Sequence, residues 1–99
     1  MFIHNNYLVS TTPVLIASIP KAAGPTQVTI NNRDNQHVFI GDIDVTVSLG
    51  NDGGSEIIAD GTIQVWVSGG DKIYAVSSHA TPSGAVAVCY SYIPKDYPV

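Results

Sequence analysis

Charge is what this sequence has least of. Asp, Glu, Lys and Arg make up 12% of its 99 residues, about half the usual share. The four basic residues, Lys21, Arg33, Lys72 and Lys95, stand singly. A nucleic-acid surface draws its affinity from clustered cations that release counterions. An anionic membrane surface asks for the same cluster. Neither partner is expected. Cysteine is as scarce: Cys89 stands alone, which excludes an internal disulfide. Its surroundings, Ala85-Val86-Ala87-Val88-Cys89-Tyr90, read as a strand, and a small core residue is the plain reading. A reactive thiol needs an electropositive neighbour, and the sequence places none beside it. That stretch is also the longest apolar run, far below the roughly 20 residues of a membrane helix. Met1-Phe2-Ile3-His4 lacks the basic start and apolar stretch of a secretory signal. The expectation is therefore a chain folded in a cytoplasm. No Asn-x-Ser/Thr site for glycosylation is present.

What is abundant is strand-forming material. Val, Ile and Thr make up nearly a third of the chain, and hydrophobic residues 44%, which argues against disorder. Size scaling lets a chain of this length bury roughly 64% of its unfolded surface, enough for one modest core.

Alternation dominates and no window keeps a helical spacing. Val28 and Ile30 alternate with Gln27 and Thr29. Val38 and Ile40 flank Phe39. Ile43, Val45, Val47 and Leu49 alternate with Asp44, Thr46 and Ser48. Ile63, Val65 and Val67 alternate with Gln64 and Trp66. Ile73-Tyr74-Ala75-Val76 is a short strand, and Val86, Val88, Tyr90 and Tyr92 mark the last long one. Turn signals separate them: Asn31 to Asn35, Gly41-Asp42, Asn51 to Gly54, Asp60-Gly61, Gly69-Gly70-Asp71 and Pro82-Ser83-Gly84. About seven strands at this cadence predict an all-β antiparallel β-sandwich, jelly-roll or immunoglobulin-like.

The first residues differ. Pro13, Pro20 and Pro25 interrupt the apolar Val14-Leu15-Ile16-Ala17 and keep it from a central strand. Residues 1–25 are expected as an extended N-terminal arm or edge strand with a linker, residues 26–93 as the sandwich domain, and 94–99 as an extended tail.

Chemistry finds little support. His4, His37 and His79 are too far apart for two to share one element, so no metal site is predicted. Ser77-Ser78-His79 sets hydroxyl and imidazole on opposite faces of a strand, which is not a nucleophile–base pair. Gly53-Gly54-Ser55-Glu56-Ile57 lacks the last glycine of a nucleophile elbow. Asp42 and Asp44, read on one strand face, could join Asn51, Asp52 and Glu56 as oxygen ligands. Known calcium-loop spacings fail there, and turn carboxylates are the simpler reading. No cofactor and no enzymatic activity are expected.

Trp66 falls on the polar side of its strand, so its ring packs at the rim, meets another protein, or offers a platform for a sugar. The order Val28-Thr29-Ile30-Asn31, Val38-Phe39-Ile40-Gly41, Val45-Thr46, a glycine turn, Gly61-Thr62-Ile63, Ile73 to Val76 and Ala85 to Val88 resembles small β-sandwich virion proteins of tailed bacteriophages. These include head decoration (cement) proteins and other minor capsid or neck components. The resemblance spans about two-thirds of the chain and rests on cadence rather than catalytic residues. The turn at Asn51 to Ser55 is longer than the family's usual one.

The resemblance implies a non-enzymatic decoration protein that binds the major capsid protein on the outer shell, made in the bacterial host's cytoplasm. Such proteins are often homotrimers. Phe2, Ile3, Tyr7, Leu8, Val9, Val14, Leu15, Ile16 and Trp66 are the expected protein-contact residues. Val14, Leu15 and Ile16 equally suit completion of the domain's own core. A neck, collar or tail-fibre component, or a carbohydrate-binding module using Trp66, are the alternatives.

Overall fold

The structure is a computed structural model that describes residues 2–47, 54–78 and 85–92. Among these residues the chain forms eight strands and no helix: β1 (Phe2–Leu8), β2 (Val14–Ser18), β3 (Thr26–Asn32), β4 (Val38–Gly41), β5 (Ser55–Ile57), β6 (Thr62–Val67), β7 (Lys72–Ser77) and β8 (Ala85–Ser91). They build two four-stranded sheets, ordered β1-β8-β3-β6 and β2-β7-β4-β5. Every pairing is antiparallel. The expected all-β sandwich is what the chain adopts.

Alternation explains the layers. Because side chains switch faces at each residue, one apolar set per strand can point inward. Val28 and Ile30 of β3 and Val86, Val88 and Tyr90 of β8 do so from the first sheet. Ile16, Val38, Ile40, Ile57, Ile73 and Ala75 do so from the second. Val9 and Ile19, from the connections beside β1 and β2, complete this core. Each such side chain contributes about 1.5–3 kcal/mol by leaving water.

Successive strands mostly belong to opposite sheets; only β4 and β5 are sequence neighbours within one. The Gly/Asn/Asp turns thus carry the chain from layer to layer more often than they close hairpins. At Asp60 (φ 60°) and Gly70 (φ 92°) the backbone enters the left-handed region such reversals need.

One strand expectation fails. Ile43 to Val47 is not a strand, and Leu49 lies outside the described residues. Asp42 Oδ1 accepts the Asp44 N–H at 2.9 Å, and the Asp42 carbonyl accepts the Val45 N–H at 3.1 Å. This side-chain turn competes with extended structure and folds the segment over the outer face of the second sheet. There Val45 packs with Phe39, Val76 and Tyr74 in a small second apolar cluster. Asp42 and Asp44 therefore do not share a strand face.

The N-terminal stretch supplies one edge strand to each sheet. β1 pairs with β8 over its whole length, from Phe2↔Ser91 to Leu8↔Ala85. β2 pairs with β7 through a bulge between Leu15 and Ala17. All three of its prolines lie outside strands, as the loss of a ladder donor requires. Lys21 to Pro25, the stretch read as a linker, lies against the β6–β7 turn, where the Lys21 and Ala23 carbonyls approach Gly69; just before it the Ile19 N–H donates to the Asp71 carbonyl at 2.9 Å, and the Gly70 N–H to the Ile19 carbonyl at 2.8 Å. The expected C-terminal tail lies outside the described residues.

Candidate interaction surfaces

The strands of the first sheet contain no Asp, Glu, Lys or Arg. Their buried inward residues are apolar except Thr26 and Asn32 at the ends of β3, and their outward residues set the character of a whole face. Register aligns these in rows across the sheet, because directly paired residues share a face. One row runs Asn6, Ala87, Asn31, Thr62; the next runs His4, Cys89, Thr29, Gln64. Beyond them Phe2 stands beside Ser91, and Gln27 beside Trp66. Along β8 the outward side chains are small, while those of β1 and β3 are longer. The result is a shallow groove of about 360 Å³ with Ala87 and Cys89 in its floor. The Gln64 amide donates to the Thr29 hydroxyl at 3.5 Å. Trp66 is 69% exposed.

The second sheet presents a different side. Leu15 on β2, Ile43 and Val47 of the covering segment, and Ile58 just after β5 are all exposed apolar side chains. Glu56 and Lys72 lie on its strands. His37 Nδ1 is 3.2 Å from Glu56 Oε2 at the surface, a pair worth about 0–1 kcal/mol.

The expected contact residues divide by placement. Phe2, Leu8, Leu15 and Trp66 are exposed. Ile3, Tyr7 and Val14 are half-buried and pack against the core. Val9 and Ile16 are within it, at 0% and 1% exposure, and are closed to a neighbour in this arrangement. No single patch joins all nine, since β1 and β6 are opposite edges of the first sheet and β2 is an edge of the second.

Of the residues weighed for chemistry, Ser77 is buried and its Oγ donates to the Val9 carbonyl at 3.2 Å. His79 lies outside the described residues. Among the described residues no group of three or more His, Cys, Asp or Glu could hold a metal ion. Among the described residues no helix is long and apolar enough to cross a membrane. Sequence reasoning missed the amide and hydroxyl groove. Its one advance signal was the absence of charge from all four strands that form it.

No family model matches this chain, and no curated protein matches it. A solved structure described as Bacillus endospore appendages that form a novel family of disulfide-linked pili is similar in fold. It has a TM-score of 0.61 and 14% identity, and the match covers 95% of this chain and 86% of that one. At that identity the likeness is one of fold.

Proposed function

We propose that this chain is a non-enzymatic structural subunit of a protein assembly, and specifically a surface protein of a bacteriophage virion that binds the major capsid protein. The observation that carries the structural role is the set of exposed apolar side chains around the second sheet, Leu15, Ile43, Val47 and Ile58. Apolar groups in the centre of a contact supply its binding energy. The strand-and-turn cadence supports the virion as the assembly. Many copies clamping neighbouring shell subunits would add their individually weak contacts through multivalency.

The test compares virions with and without the chain under heat and osmotic shock. Loss of resistance in its absence, restored by adding purified protein, is the expected result. Unchanged resistance would remove the cement role.

A second reading is favoured by the fold likeness to the pilus structure: a subunit of a surface filament. These 99 residues carry one cysteine, so a disulfide joins each copy to one neighbour at most. A filament of this chain would therefore need non-covalent contacts for at least half its joints. Electron microscopy of the concentrated protein separates the two readings: filaments support the second, discrete particles the first.

A further inference from the structure

We propose that the outer face of the first sheet is a binding site for a neutral, hydroxyl-rich polysaccharide, which crosses the strands from the groove over β8 and β3 to the β6 edge and sets one sugar ring on Trp66. The proposal does not depend on which assembly the chain belongs to.

Apart from the His4 imidazole, the groove's side walls are made of amides and hydroxyls, which donate and accept hydrogen bonds without carrying charge. Asn6 and Asn31 face each other across Ala87, and His4 and Thr29 across Cys89. Amides and hydroxyls of this kind match sugar hydroxyls, which are themselves donor and acceptor together. A contact with another protein would be expected to centre on apolar side chains. Here the centre is small and polar-walled, and the exposed large apolar groups, Phe2, Leu8 and Trp66, stand at its edges.

Neutrality is specific to this sheet. The chain carries a net charge of −4, yet none of its charged residues is on these four strands. An anionic or cationic ligand would find no counter-charge there and would lose its hydration. A neutral polyol loses little by comparison.

Trp66 completes the match. It shares the outer face with Gln64, two residues away on β6, and its ring is largely in water. The core gains nothing from it. A flat exposed indole is an apolar platform for the C–H face of a sugar ring, and its N–H remains free to bond a hydroxyl. At about 360 Å³ the groove falls within the size range of small-ligand sites. Its lining crosses from β1 over β8 and β3 to Thr62 of β6, so it suits a chain-like ligand rather than a compact one.

The test is affinity electrophoresis of the 99-residue protein in gels containing dextran, mannan, laminarin or alginate. Retardation by at least one of the three neutral polymers and not by the anionic alginate is expected. For that polymer, Trp66→Ala should weaken association about tenfold or more, and Ala87→Arg, which fills the groove floor, should abolish it. Circular dichroism of both variants should match the parent, since both side chains point outward. Migration unchanged by all three neutral polymers would overturn the proposal, as would retardation by alginate alone or full binding by both variants. If the face is covered by a second copy instead, no polymer will bind, and light scattering will show a doubled mass that Ala87→Arg returns to 10.4 kDa. That outcome also overturns it.

Discussion

The side-chain amide of Asn32, the last residue of β3, donates to the Ile57 carbonyl of β5 at 3.0 Å and so fastens the first sheet to the second. The same nitrogen reaches the carbonyls of Gln36 at 2.8 Å and Ile58 at 3.1 Å. Asn32 Oδ1 accepts the Asp34 N–H at 2.9 Å. Two amide hydrogens thus serve three carbonyls, and the residue is fully buried.

Asn32→Ala leaves these buried groups without their partner, at a cost of about 1–3 kcal/mol for each one stranded. The expected result is a lower urea midpoint with an unchanged slope. A shift no larger than that of the exposed control Asn5→Ala would contradict the role assigned to this amide.

The place of β2 in the fold can be checked at two adjacent residues. Ile16→Ala removes a fully buried side chain and should cost about 2–5 kcal/mol. Leu15→Ala, on the outer face at 38% exposure, should cost clearly less. Denaturant unfolding of both variants reads the difference, and the reverse order would mean that the strand presents its other face to the core.

Glycine is needed at Gly69 for close backbone approach. A Cβ there would lie 2.5 Å from the Ala23 carbonyl oxygen and 2.7 Å from that of Lys21, so one backbone must move. Gly69→Ala is expected to destabilise by about 1–3 kcal/mol. At Gly24 nothing lies within 4 Å of the same position, and Gly24→Ala should be neutral or gain up to about 1 kcal/mol. Equal melting temperatures for the two variants would argue against the packing of residues 20–24 on the β6–β7 turn.

Trp66 separates surface role from fold. With its ring in water, Trp66→Ala should change stability by no more than about 0.5 kcal/mol. A larger loss in thermal unfolding would assign the ring a structural role.

The legible part of this fold was the alternation in β3, β6 and β8, where inward Val and Ile are each followed by an outward polar or small residue, Trp66 after Val65 excepted. The 43–47 segment shows the limit of that signal. Its apolar spacing is as regular as a strand's, but the Asp42 carboxylate bonds the backbone two residues on and turns the chain. β5 has three residues, too few for any pattern to register. β1 shows no alternation because its apolar residues occur in pairs at Phe2-Ile3 and Tyr7-Leu8; pairing with β8 makes it a strand. The groove was hidden for a further reason. Asn6, Ala87, Asn31 and Thr62 become neighbours only once the sheet order is known, and nothing in the sequence dictates that order. The polar placement of Trp66, by contrast, could be read directly from its strand.

Membership of a particle is the central claim, and quantitative mass spectrometry of purified virions from the source tests it most directly. The account predicts that the chain copurifies in many copies per particle, in fixed ratio to the major capsid protein. Its absence from purified particles, with the chain recovered free in the lysate, would contradict the account.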